Sequence, residues 1–368
     1  LEIYTRAVSE KLDDEARGWF KKLEERNKEA LSLWRKFREL SLKEFGRIYS
    51  ILGVKFNLIS GESFYQEKTE AVIKELKKIN LLEFSDGADI VNLEKYNLGV
   101  ALIKKSDGST LYITRDLAAA IDRYKKYKFE KMFYEVGSEQ SLHFKQLFKI
   151  LELLGNKWAS SCKHIAHGLY LDKDGKKFAT RKGKIVFMED IIDETISLAK
   201  KEISKRNKLS EQELKKRAEK ISLAAIFYGD LKNYRVNNIV FDINRFLSFE
   251  GDTGPYLLYS YARAKSILKK ARKYSGKLII PELAEAEKNL VFELSLFPLT
   301  VKKAFDSLSP NIIANYSHQI AQSFNEFYHS NKVIGSEEEP FRLAIVEAFS
   351  QTLKNSLNLL GIQALESM

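Results

Sequence analysis

Hydrophobic and polar positions change rhythm twice along the chain. From Ser9 to about Leu52, Leu12, Ala16, Phe20 and Leu23, then Leu31, Trp34, Phe37 and Leu40, recur at three- and four-residue spacing among Lys, Arg and Glu. That is the stripe of amphipathic helices, and two or three are predicted there. Short β-prone runs then appear at 54–59, 99–103, 111–113, 131–136 and 164–171, alternating with helical stretches at 67–78, 116–126 and 139–154. Strand, helix, strand with mostly apolar strands predicts an α/β layer with a largely parallel sheet covered by helices. Ligands of such sheets sit beyond the carboxyl ends of the strands. Downstream of Asp190 the strand signals stop, and Lys-rich stretches at 189–206, 210–233, 256–273, 283–308, 311–331 and 338–360 predict an all-helical bundle.

Composition narrows this picture. The 368 residues are 44% hydrophobic and 30% charged, a globular balance with material for two or three domains. A single cysteine, Cys162, permits no internal disulfide, which points to a reducing compartment. No apolar run approaches the ~18–20 residues that cross a bilayer. A net charge of +11 favours a polyanionic partner such as nucleic acid, although Lys200-Lys201, Lys215-Lys216-Arg217 and Lys269-Lys270 also read as solvated helix faces. All five prolines lie at or beyond Pro255, so a boundary is expected close to residue 250. The first residue is Leu1 and nothing near it reads as a signal peptide, so a segment of a longer protein is expected.

Four clusters carry candidate chemistry. Lys177-Phe178-Ala179-Thr180-Arg181-Lys182-Gly183 concentrates cations in a Gly-flanked loop that can fold over a triphosphate and neutralise a leaving pyrophosphate; a basic surface loop is the plainer reading. Gly137-Ser138-Glu139-Gln140 falls between a strand and a helix, where it can cap the helix or face a ligand. Tyr112 and Asp116 occupy a similar junction, as core residue and cap or as ligand contacts. With Glu62 in Gly61-Glu62-Ser63 they would supply two carboxylates and a ring, a set suited to the planar fork of a guanidinium. His164 and His167, three apart with one cysteine in the chain, make a poor zinc set, and no metal site is expected.

In order, these strings resemble the arginyl-tRNA synthetases, a class I aminoacyl-tRNA synthetase family. The resemblance rests on Ala16-Arg17 with Leu33 to Phe37, Gly61-Glu62-Ser63, Lys105 to Asp116, Gly137 to His143, Lys177 to Gly183, Ser248-Phe249-Glu250-Gly251-Asp252-Thr253-Gly254-Pro255-Tyr256, and Leu359-Leu360-Gly361. It implies a partial class I Rossmann-like fold with a mostly parallel sheet over 1–190, with a helical insertion at 9–52. A connecting helical segment over 191–254 and a helical anticodon-binding domain over 255–368 would follow. It further implies that Glu62, Tyr112 and Asp116 hold the arginine guanidinium, that Gln140 positions the amino acid, and that Gly137 and Glu139 lie beside the ATP ribose. Lys177 to Arg181 matches the KMSKS loop in the variant form KFATR, with Lys177, Thr180, Arg181 and Lys182 on ATP and Arg181 and Lys182 the candidates for pyrophosphate. The HIGH signature, expected well before Gly61, has no match, so the amino-terminal domain and the first half of the catalytic fold are expected to be absent. Phe324 and Met368 match anticodon-contacting positions, with bundle core and a frayed end as the alternatives. The implied activity is arginine–tRNA ligation, the alternative being a non-catalytic tRNA-binding module. ATP and Mg2+ would serve as co-substrate and activator without a tightly bound cofactor, tRNA(Arg) would be the partner, and the full-length enzyme would be cytoplasmic and monomeric.

Overall fold

The computed structural model describes residues 6, 12–105, 110–172, 174–176, 187–206, 209–271 and 280–368. Their contacts form two compact units, one from Phe56–Leu169 and one from Leu1–Lys55 with Tyr170–Met368. The amphipathic stripe of the first residues folds as α1 (Asp13–Glu24) and α2 (Lys28–Ile51). Asn27 starts α2 by accepting the backbone N–H groups of Glu29 and Ala30, two of the donors a helix start leaves unpaired. Ala30 is the buried residue of α2, while Phe37 and Phe45 are exposed.

In the unit 56–169, two short 3-10 turns over Glu62–Phe64 and Gln66–Lys68 lead into α3 (Thr69–Lys78). An antiparallel meander follows: β1 (Glu83–Ser85), β2 (Ala88–Asn92) and β3 (Val100–Lys104). Its first turn is Asp86-Gly87, both with positive φ (49° and 79°), the mirrored two-residue turn whose twist matches a hairpin. Helix α4 (Tyr112–Tyr127) comes next, then β4 (Met132–Gly137), α5 (Ser141–Leu153) and β5 (Cys162–His167). Strands β4 and β5 pair in parallel from Met132↔Cys162 to Gly137↔His167. That pairing requires the α5 crossover, which puts the start of α5 just past the carboxyl end of β4. Val91, Ile103, Leu117, Leu147 and Ile150 form the core of this unit, all fully buried.

Three sequence expectations need revision here. The run 54–59 is irregular rather than a strand, and the antiparallel meander over 83–104 forms a sheet of its own, separate from the parallel pair β4–β5. The run 111–113 is the cap and first turn of α4. Its β-branched and aromatic composition suggested a strand, but Ile113, Leu117 and Ala120 bury one helical face, and Thr114 Oγ1 donates to the carbonyl of Ile103 at 2.6 Å. Packing at helical spacing outweighs local β preference.

In the other unit, β6 (Tyr170–Leu171) pairs in parallel with β7 (Ile239–Val240), and α6 (Met188–Arg206) and α7 (Glu211–Leu231) lie between them in sequence. The short α8 (Ile243–Phe246) is followed by α9 (Gly254–Lys270), α10 (Glu285–Ser295), α11 (Phe297–Ser307), α12 (Asn311–Ser330) and α13 (Glu339–Leu359). The single helix expected over 283–308 is two, because Pro298 lacks an N–H and is tolerated only in a first turn, where it begins α11. Tyr228, Phe324, Phe327 and Phe349 are the largest buried side chains of the bundle, each Phe contributing about 1.5–3 kcal/mol by burial. Helix α9 approaches α7 so closely that a Cβ at Gly254 would lie 2.1 Å from the carbonyl oxygen of Ala224. Glycine is required there by contact between backbones.

Candidate functional site

Within 56–169, hydrogen bonds join the three chemistry-bearing blocks. Tyr112, Arg115 and Asp116 are spaced three and four apart in the first turns of α4, which puts them on one face. Arg115 reaches the preceding block: its Nη1 donates to Glu62 Oε2 at 2.9 Å and its Nε to Gln66 Oε1 at 2.9 Å. Asp116 reaches the following one, its Oδ2 accepting from His143 Nε2 at 2.7 Å. An ionised carboxylate only accepts, so the imidazole proton lies on Nε2. Glu62 and Tyr112 are 56% and 65% exposed, so both are accessible to a ligand. The Arg115 guanidinium lies 5.7 Å from the centre of the Tyr112 ring. Two carboxylates and an aromatic ring thus gather around cationic or hydrogen-bond-donating groups.

Glu139 and Gln140 lie in the 3-10 turn Ser138–Gln140 between β4 and α5, both exposed. A Cβ at Gly137 would meet His167 at an ordinary 3.9 Å, and its φ of −54° suits any residue. Neither crowding nor backbone conformation demands glycine here. His164 is structural: its Nε2 is 2.9 Å from the carbonyl oxygen of Val136, and its ring stacks on Phe144 at 4.5 Å. Burial pushes the Cys162 thiol up to about 11, so it stays protonated near neutrality. The cationic loop lies outside the described residues, and with it Lys177, Thr180, Arg181 and Lys182.

In the bundle, Asp252 of the Ser248-to-Tyr256 block accepts the hydroxyl of Tyr228 and, at 3.0 Å, the ammonium of Lys232. Burial raises its pKa, but these two donors together with the charges of Lys232 and His318 outweigh that and hold the carboxyl below its ordinary range. Thr253 caps α9 by accepting the N–H of Tyr256. The block therefore has a structural use at each of these positions.

Phe324 is fully buried, its ring stacked on Phe349 at 3.9 Å and 4°. A ring so placed has no exposed face, an arrangement that favours the bundle-core alternative for Phe324. One turn later on α12, Tyr328 is exposed and lines a groove of about 1070 Å³ with Tyr259, Arg263, Lys269, Lys270 and Met368. The Arg263 guanidinium lies 4.7 Å from the Tyr259 ring and 5.2 Å from that of Tyr328. Aromatic faces beside cations suit an unstacked base and its phosphates. Sequence reasoning missed Arg263 and Tyr328; the only available signal was Tyr328's position one turn from Phe324.

Residues 4–243 match the family described as tRNA synthetases class I (R), catalytic domain, and residues 257–368 match the DALR anticodon binding domain. The arginine–tRNA ligase of Clostridium botulinum (strain Alaska E43 / Type E3) is 45% identical over 361 residues, covering 97% of this chain and 64% of its own length. That of Clostridium perfringens (strain 13 / Type A) is 44% identical over 382 residues, covering 100% of this chain and 67% of its own. Among solved structures, an arginyl-tRNA synthetase from Plasmodium falciparum superposes with a TM-score of 0.85 at 24% identity, covering 98% of this chain and 63% of that one. One from Thermus thermophilus gives 0.78 at 22%, covering 94% and 68%. At such identities the structures speak for the fold alone. The chain spans about two thirds of the length of these relatives. With a catalytic-domain match over most of its length and an anticodon-domain match over the rest, the chain belongs to the arginine-type class I tRNA synthetases.

Proposed function

We propose that this chain serves the ATP-dependent ligation of arginine to tRNA(Arg). The observation that carries the reading is that Tyr112 and Asp116 share one face at the start of α4, with Glu62 tied to the same turn through Arg115. Two carboxylates bind a guanidinium through paired charge-assisted hydrogen bonds, and the ring covers its flat face. Gln140 orients the amino acid, and Gly137 and Glu139 lie beside the ATP ribose past the end of β4. In the first step the arginine carboxylate attacks the α-phosphorus of magnesium-bound ATP, forming arginyl-adenylate as the bond to pyrophosphate breaks. Lys177, Arg181 and Lys182 neutralise the departing charge and Thr180 contacts ATP; magnesium arrives with the phosphate oxygens it prefers. In the second step a terminal ribose hydroxyl of tRNA attacks the arginyl carbonyl and AMP leaves, the hydroxyl proton passing to solvent or phosphate. Positioning and electrostatics account for the acceleration, and no covalent enzyme intermediate is invoked.

In this reading, 1–190 is the later part of the catalytic domain, 191–254 connects, and 255–368 binds the anticodon through the groove at Met368 and Tyr328. No helix among the described residues is long and apolar enough to cross a membrane, and the proposed setting is the cytoplasm, with a monomeric full-length enzyme. The HIGH signature is assigned to the third of the relatives' length that this chain does not span. ATP–pyrophosphate exchange with arginine and tRNA(Arg) tests the reading, on the 368-residue chain alone and with that remaining third of a relative added in trans. Exchange only on complementation is expected. Exchange by the chain alone overturns the need for HIGH. Retained tRNA binding without exchange in either sample supports the non-catalytic module instead.

A further inference from the structure

Both carboxylates assigned to the guanidinium already have a partner, and each partnership uses one oxygen. Glu62 gives Oε2 to Arg115, and Asp116 gives Oδ2 to His143. Among the described residues no hydrogen bond occupies Glu62 Oε1 or Asp116 Oδ1. The partners are anchored far better than the carboxylates they hold. The Arg115 side chain is 16% exposed; besides Glu62 it donates to Gln66 Oε1 and, through Nη2, to the carbonyl of Thr110 at 3.2 Å. Thr110 is itself buried and bridged to Lys104 at the end of β3. His143 sits in the first turn of α5, its ring packed edge-on against Phe144 at 5.2 Å, and Phe144 belongs to the core.

We propose that Arg115 and His143 are positioning residues that fix Glu62 and Asp116 with one oxygen each turned to the substrate guanidinium. The proposal rests on the reading of those carboxylates as arginine ligands. An exposed glutamate samples many rotamers, and a ligand that must freeze it binds more weakly; a partner tied to the strand layer removes that cost beforehand. Arg115 also cancels one of the two negative charges, leaving one for the single positive charge of the incoming guanidinium. The charge balance thereby favours a monocation, and the remaining oxygens fix its plane.

Binding of L-arginine to the full chain, measured by calorimetry, tests this. Glu62→Gln and Asp116→Asn are expected to weaken arginine binding by about a hundredfold, and Arg115→Lys and His143→Ala by about tenfold, the scale on which supporting hydrogen bonds to charged ligands act. His143→Gln keeps an amide donor at similar reach and is expected to return affinity to within about threefold of the unaltered chain, as donor replacement allows. A merely structural role would leave Gln no better than Ala, and circular-dichroism melts identify any variant that fails to fold, in which case the Ala–Gln difference at 143 decides alone. If the carboxylate variants weaken binding while Arg115→Lys and His143→Ala do not, or if Arg115→Lys binds arginine more tightly, the positioning role is overturned and the arginine reading stands. If Glu62→Gln and Asp116→Asn leave binding unchanged, or the unaltered chain binds no arginine, the reading itself fails and takes the proposal with it.

Discussion

Two arginine–glutamate pairs, one in each unit, show how the same chemistry is put to different ends. Glu287 in the bundle is 1% exposed and uses both oxygens: Oε1 accepts Arg342 Nε at 2.8 Å and Oε2 accepts the N–H of Ala284 at 2.7 Å. Arg342 continues to the carbonyl of Lys332, closing the loop between α12 and α13. Glu62 is more than half exposed and uses one oxygen. A carboxylate with both oxygens engaged inside the protein is a fastener. One held by a single oxygen at the surface keeps the other open, which is what the proposed arginine site needs. Burial and satisfied hydrogen bonds, rather than the presence of an ion pair, separate structure from site.

The comparison can be broken most forcefully in the bundle core. Phe324→Ala removes a ring stacked on Phe349 and is expected to cost about 4 kcal/mol in urea unfolding, whereas Tyr328→Ala should change stability little and weaken tRNA binding. The reverse result would restore Phe324 as the anticodon contact. Arg342→Ala strands a buried carboxylate and should cost about 3 kcal/mol, against less than about 1 kcal/mol for Arg115→Ala, whose glutamate can return to water. Equal costs would erase the distinction drawn above.

The two units should also differ in their response to pH. Cys162, in the α/β unit, has a folded pKa raised by burial to about 11 from an ordinary 9.0. A raised folded value means stability is complete below the ordinary thiol range and declines as pH climbs toward about 11. The loss is about 3 kcal/mol at most, and Cys162→Ser should flatten it. Asp252, in the bundle, has a lowered folded pKa. Its contribution is present above the ordinary carboxylate range and lost as pH falls below it. The side chain is nearly half exposed, so solvent screening limits the effect to under about 1 kcal/mol. Acid titration of the unfolding midpoint in Asp252→Asn measures it.

How far these contrasts could be read from sequence depends on the range of the interactions involved. The long helices were legible because their stripes repeat within the helix itself, as Phe324, Phe327 and Tyr328 do on α12. The hairpin at 83–92 was missed even though Asp86-Gly87 is a strong turn signal, because the exposed Glu83, Phe84 and Ser85 give no alternation of burial. Glu62 and Asp116 could be singled out from sequence as carboxylates suited to a guanidinium. What holds them could not be, because Arg115 is 53 residues from Glu62 and His143 is 27 from Asp116. Sequence shows which side chains suit a guanidinium; only the fold shows which of their oxygens are already taken. The loop from Lys177 to Lys182 was read from sequence alone and lies outside the described residues.

Gly254 carries a more general consequence. It belongs to one of the strings that carry the chain's resemblance to its family, yet its lack of a side chain answers to the carbonyl of Ala224, 2.1 Å from where a Cβ would stand. A signature of this kind certifies how two helices meet, and it would survive in a descendant that had abandoned the reaction altogether. Screening genomes for such enzymes by the Asp252-Thr253-Gly254 string would therefore collect active and silent copies alike. On the arginine-binding reading proposed above, a screen keyed to Glu62, Tyr112 and Asp116 is expected to sort them.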